Sequence, residues 1–257
     1  MNATVHTRYA SLSDLPALDA LAADRWLSPD ERQAWRRMRS AERRATWLAG
    51  RIAAKQLLAQ CLTDAGDERT IPAAVEFHVE SNGGGRGQRP SVFVAGRPLA
   101  WALSIAHTAR GVLAAVSAER GVTLGVDLVG QPSPGFARLA WCFTPAERRW
   151  LAAGPAHARS IEQLWAMKEA LYKASQQGEG FAPRQIEMVP GREPRYAMLN
   201  PARAVRSVQS WRVDGHFAAL AVVEPVGDGM HSAKSHTSDP CAIGSTKHEH
   251  ERLVERA

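Results

Sequence analysis

Cysteine is scarce in this chain: Cys61, Cys142 and Cys241 are the only 3 in 257 residues, and no two form a CxxC pair. That spacing argues against a disulfide framework and against a thiolate metal site, so a metal bound here is expected to take oxygen ligands. Also missing is any apolar run approaching the roughly 20 residues a membrane-spanning helix needs. The N-terminal MNATVHTRYA has no basic region followed by an apolar core, so no secretory signal is expected and the cytoplasm is the expected location.

The 45% hydrophobic and 23% charged composition is that of a soluble globular protein. The length allows one large domain or two lobes of roughly 100–150 residues each. The net charge of +6 gathers early, in ERQAWRRMRSAERRATWLAGRIAAK (residues 31–55). Such a basic stretch points to an anionic partner: nucleic acid, a phosphorylated small molecule or an acidic protein.

Ser28, with Pro29 after it and Glu31 three residues on, predicts a helix start with a capping box. Thr144, Pro145 and Glu147 repeat the pattern 116 residues later, which suggests an internal duplication. Strand patterns lie between these starts, in VEFHVE, SVFVAG, LAWALSIA, GVLAAVS and VTLGVDLV, and SNGGGRGQRP predicts a flexible loop. From about Gly227 the periodicity disappears, and a disordered tail is expected over 227–257.

In VTLGVDLV the alternation puts Val122, Leu124, Val126 and Leu128 on one face and Thr123, Gly125, Asp127 and Val129 on the other. Asp127, the strand's only charge, is either a turn cap or a paired carboxylate. WAMKEALYKA, Trp165 to Ala174, reads as a helix whose apolar stripe, extended back to Ile161, carries Lys168 in its middle. Either that lysine extends its ammonium to water, or the stripe borders a polar cleft. Glu169 and Lys173 form an i,i+4 pair, which on a solvated surface contributes only about 0.3 kcal/mol.

Together, LGVDL and, 36 residues later, WAMKEALYKA resemble the two-part signature of the 4'-phosphopantetheinyl transferases. In that family a hydrophobic-Gly-hydrophobic-Asp strand is followed by a Trp or Phe, a Lys-Glu pair and a Lys four residues after the Glu. The resemblance extends over most of residues 25–225. LSPDERQAWRRMRSAERRATWLAGRIAAKQLL is similar to the family's N-terminal helical region, and GQRPSVF to its Gly-Lys-Pro element with Arg89 for Lys. LSIAHTARGVLAAVS is similar to its Asn-x-Ser-His strand, and GEGF to its Gly-x-Gly turn.

The resemblance implies an α+β fold of two similar α/β lobes related by pseudo-twofold symmetry, residues 1–118 and 119–226, with the site at their interface. It implies transfer of the 4'-phosphopantetheine arm of coenzyme A to a serine of an apo carrier protein (acyl, peptidyl or polyketide), with release of adenosine 3',5'-bisphosphate. Asp127 and Glu169 would bind Mg²⁺, and Glu169 would also accept the serine proton. Lys173 would contact phosphate, and Lys168 would reach the cofactor or the metal-site carboxylates. His107 would meet the diphosphate, with the Thr108 hydroxyl beside it, while Arg44, Arg51 and Arg89 would neutralise the 3'-phosphate or the diphosphate. The expected partners are coenzyme A and an acidic carrier protein, with neither nucleic acid nor membrane, and the chain is expected to act as a monomer.

Two positions depart from the family pattern: Val129 stands where many members have a metal-binding Glu, and Ala106 where a Ser usually precedes the His. They support an alternative, a catalytically silent relative that binds coenzyme A or carrier protein. A third reading, a nucleic-acid-binding module built on the Arg-rich helix, lacks a docking motif.

Overall fold

Ser28 and Thr144 both start helices because their backbones stay extended while their hydroxyls accept the N–H of Glu31 and Glu147, whose carboxylates return to the cap N–H. In this computed structural model the described residues are 4–15, 17–64, 75–78, 90–94, 96–130, 141–153, 160–175, 180–197 and 199–226. Arg89, the loop 81–89 and the expected tail from residue 227 lie outside them.

The first part of the chain contains strand β1 (His6–Ser11), helices α1 (Ala20–Trp26), α2 (Pro29–Arg37) and α3 (Ala41–Asp64), and strands β2 (Val75–His78), β3 (Ser91–Val94), β4 (Arg97–Leu99), β5 (Ala102–His107) and β6 (Gly111–Ser117). The rest contains β7 (Thr123–Gly130), α4 (Pro145–Ala152), α5 (Ile161–Ser175), β8 (Ile186–Glu187), β9 (Arg195–Tyr196), β10 (Arg203–Val213) and β11 (His216–Pro225). The fold is α+β, and every strand pairing among the described residues is antiparallel.

One three-stranded sheet has the order β1-β6-β5 and another the order β10-β11-β7. In each, the first strand of its segment pairs with the second strand of a later hairpin, after a capped short helix and a long helix. The central strands β6 and β11 are apolar on both faces because both faces are covered. On β11, Ala218, Leu220 and Val222 join Leu113 and Ala115 of β6 in a core shared by the two sheets. Phe217, Ala219, Ala221 and Val223 face the other way, into a core with Leu164, Ala170 and Leu171 of α5. Likewise Ala114 and Val116 of β6 pack with Ala54, Leu57 and Leu58 of α3.

The alternation predicted for β7 is seen: Val122, Leu124, Val126 and Leu128 line the shared core, and Val129 lies in the core around α5. No helix among the described residues is long and apolar enough to cross a membrane.

Each capping-box glutamate also meets a buried lysine of the following long helix. Glu31 Oε2 lies 2.6 Å from Lys55 Nζ of α3, and Glu147 Oε2 lies 2.7 Å from Lys168 Nζ of α5. Both lysines are 0% exposed. Lys55 also donates to the Trp26 carbonyl, so a buried ammonium ties the helices of this region together with its hydrogen bonds satisfied.

Candidate active site

The glycine of LGVDL sets how closely α5 approaches β7. A Cβ at Gly125 would stand 1.9 Å from the Ala170 carbonyl oxygen and 2.5 Å from the Ala174 nitrogen, so only glycine lets the helix backbone rest on the strand. Thr123 fixes the register beside it, donating its hydroxyl to the Ala174 carbonyl at 2.7 Å. Asp127, on the same strand face, is thereby directed at the C-terminal part of α5.

There it meets Lys173, whose Nζ donates to Asp127 Oδ1 at 2.6 Å and to the Val126 carbonyl at 3.1 Å. Glu169, one turn earlier, has Oε2 at 3.8 Å from the same Nζ. Its other oxygen, Oε1, accepts the indole N–H of Trp165 at 3.0 Å. Trp165 packs edge-on against Phe181, which also packs on Tyr172. The signature Trp therefore orients the signature Glu. Asp127 is nearly buried, while the side chains of Glu169 and Lys173 remain 29% and 25% exposed, so the cluster opens to solvent on one side.

Desolvation, with the Asp127 charge adding to it, pushes the Glu169 pKa above the usual carboxylate value; Lys173 and the Trp165 hydrogen bond oppose the shift. Burial acts against the charge on Lys173, but Asp127 and Glu169 outweigh it and hold the ammonium above lysine's ordinary value.

His107 ends β5 at the surface. Desolvation of its ring lowers its pKa; its backbone hydrogen bond and Asp127 work against the shift, and the charges of Lys173 and Arg43 reinforce it. The ring thus shares an electrostatic environment with Asp127 and Lys173, and Arg43 of α3 belongs to that environment too.

Lys168 is not at this cluster. The expectation that it reaches cofactor or metal-site carboxylates is corrected: its buried Nζ contacts Glu147 and the carbonyls of Pro183 (2.7 Å), Ile186 (2.7 Å) and Cys142 (3.3 Å). Burial lowers its pKa and Glu147 opposes the shift. Arg51 is similarly committed, 7% exposed, with its guanidinium over Trp47 and Nε at 3.6 Å from Glu31. Arg44 donates to the Met38 carbonyl at 2.7 Å and lies over Trp35. Both arginines thus take part in the packing of the N-terminal helices. Arg44, Trp47, Arg51 and Lys55 fall at helical spacing on one face of α3, a pattern that separates them from Arg43.

The Thr108 hydroxyl accepts the N–H groups of Arg110 and Gly111 and bonds to His216, which makes it part of the β5–β6 turn. Ala106 points into the core shared by the sheets.

Among the described residues no group of three or more His, Cys, Asp or Glu is placed to hold a metal. Val129, two residues past Asp127 on the same strand face, lies in an apolar core at 8% exposure. The two carboxylates that do converge still suit Mg²⁺, which is commonly held by one or two carboxylates with phosphate oxygens and waters. Burial first, and the neighbouring Asp127 charge with it, raises the pKa of Glu169, and a cation at the two carboxylates would relieve both.

The model of the 4'-phosphopantetheinyl transferase superfamily matches residues 123–222, the segment that carries Asp127, Glu169 and Lys173. A curated relative, the phosphopantetheinyl transferase of a Thraustochytrium species, is 26% identical over 222 residues, covering 79% of this chain and 72% of that protein. The solved holo-[acyl-carrier-protein] synthase of Thermotoga maritima is similar at 23% identity and a TM-score of 0.36, covering 55% of this chain and 75% of that one. Residues 123–222 thus match the 4'-phosphopantetheinyl transferase superfamily, and the two sequence likenesses together support an enzyme of the phosphopantetheinyl transferase class.

Proposed function

We propose that this enzyme transfers the 4'-phosphopantetheine arm of coenzyme A to a serine hydroxyl of an apo carrier protein and releases adenosine 3',5'-bisphosphate. The observation that carries the reading is the ammonium of Lys173, held at 2.6 Å from Asp127 and 3.8 Å from Glu169 on an open face. Asp127 and Glu169 are the residues that would hold Mg²⁺, which when bound supplies charge neutralisation for the diphosphate.

The residues divide the remaining work. Lys173, ionised because two carboxylates face it, binds phosphate oxygens as a fixed positive charge. His107 meets the diphosphate as a hydrogen-bond donor, and Arg43 adds a cation on the same side. Glu169, directly or through a water, accepts the proton as the serine oxygen attacks the pantetheine-bearing phosphorus. A new P–O bond to serine forms, the bridging P–O bond breaks, and adenosine 3',5'-bisphosphate leaves with the bridging oxygen.

Residues 1–118 and 119–226 are read as duplicated lobes with the site between them. Supporting this are the matching strand orders β1-β6-β5 and β10-β11-β7, the paired Glu–Lys contacts, and the convergence of His107 and Arg43 from one half with Asp127 and Lys173 from the other. In this reading the enzyme works as a cytoplasmic monomer, and its basic surface steers acidic carrier proteins.

The test is incubation with Mg²⁺, coenzyme A and several apo carrier proteins, followed by intact-mass measurement. Addition of the phosphopantetheine mass to a carrier supports the reading. No modification of any carrier at any Mg²⁺ concentration overturns it.

A further inference from the structure

His216 has no role in the reaction as described, yet it is 1% exposed and bonded through both ring nitrogens. It opens β11, immediately after the turn at Asp214 and Gly215. Its Nδ1 lies 2.9 Å from the Asp214 carbonyl oxygen, which can only accept, so Nδ1 carries the hydrogen and Nε2 of the neutral ring is an acceptor. The Thr108 hydroxyl, 3.0 Å from Nε2, is therefore the donor across this contact.

Thr108 follows His107 directly. With its hydroxyl proton directed at His216, its oxygen accepts the N–H groups of Arg110 at 3.2 Å and Gly111 at 3.1 Å, while its own N–H closes the turn onto Gly111 at 2.8 Å. The β5–β6 turn is thus tied by one side chain to a strand of the other three-stranded sheet. That strand, β11, pairs with β7 so that His216 stands opposite Gly130 and Ala219 opposite Asp127. A further bond closes the arrangement: Tyr9 of β1 donates to Asp214 Oδ2 at 2.9 Å, with Asp214 held at φ 45°.

We propose that His216 is a positioning residue for coenzyme A binding: through Thr108 it holds the β5–β6 turn, and with it His107, in register with the strand pair that carries Asp127. This rests on the reading that His107 meets the coenzyme A diphosphate. The two signature segments fix Asp127, Glu169 and Lys173 within one sheet–helix unit, whereas His107 comes from the other sheet and its distance from them depends on contacts between the sheets. His216 supplies such a contact one residue from His107, and it does so by a directional hydrogen bond.

The test is coenzyme A affinity, by calorimetry, on variants shown by circular dichroism and thermal melting to be folded. His216→Leu and Thr108→Val remove one side each of the contact, and each is expected to weaken binding about tenfold. The double variant is expected to be no weaker than about threefold below either single one, because both remove the same contact. His216→Gln, which keeps an acceptor near the Nε2 position, and Thr108→Ser are expected to bind within about threefold of the parent. Should His216→Leu fail to fold, Thr108→Val and the two conservative variants carry the comparison. Parent-like affinity in folded His216→Leu or Thr108→Val, or losses that multiply in the double variant, overturns the role of His216. Failure of the unaltered protein to bind coenzyme A overturns the underlying functional reading instead.

Discussion

The Lys168 ammonium lies 2.7 Å from the Glu147 carboxylate with both side chains 0% exposed. Glu147 accepts the N–H groups of Thr144 and Met188 at 2.7 Å each, so one ion pair joins the start of α4, the middle of α5 and the segment before β9. Removing one member strands the other without its counter-charge. Lys168→Met is expected to destabilise the fold by about 3–5 kcal/mol. Combined with Glu147→Gln the loss is expected to be smaller than the sum of the two single losses. Urea denaturation of the three variants checks this; additive losses would show that the two residues act separately.

Glu169→Gln keeps the shape of the side chain and its contact with Trp165 while removing the carboxylate. Transfer to carrier protein is expected to fall by about 10²–10⁴-fold, with the melting temperature near that of the parent. Rate measurement by mass spectrometry checks this, and retained turnover would remove Glu169 from the chemistry.

Gly125→Ala places a methyl group against the Ala170 carbonyl, where 1.9 Å is available. Helix α5 must move away from β7, at an expected cost of about 1–3 kcal/mol. Because the same movement separates Lys173 from Asp127, transfer is expected to fall as well. Parallel denaturation and activity measurements check both, and a variant unchanged in either would contradict the close packing.

His107 is expected to titrate by NMR below the ordinary imidazole value of about 6.5. A depressed folded pKa means the neutral ring's contribution to stability is present above the unfolded value and is lost as pH falls from there through the folded value. Lys173→Met is expected to raise the midpoint and Asp127→Asn to lower it. An unmoved midpoint in both variants would place His107 outside the cluster.

The face of Asp127 and the pairing of Glu169 with Lys173 were legible from local rules, strand alternation and i,i+4 spacing, but the meeting of the two segments was legible only through the family resemblance. The capping boxes were legible from local rules as well. Lys168 was misread because its partner, Glu147, lies 21 residues away, on another helix, and appears in sequence as no more than a cap. For Arg44 and Arg51, a charge run does not reveal which members stack on tryptophans. Arg43, on α3, comes within electrostatic reach of His107 only once the chain is folded, and His216 depends on a contact between sheets; the sequence carries no periodic signal for either.

The contact of Gly125 with Ala170, and that of Thr123 with Ala174, make the two signature segments a single mechanical part despite their separation along the chain. Recombination between relatives should respect that part. A crossover within residues 131–160 combines one protein's strand with another's helix and puts the Asp127–Lys173 contact at risk. A crossover on either side of 123–175 transfers the unit whole.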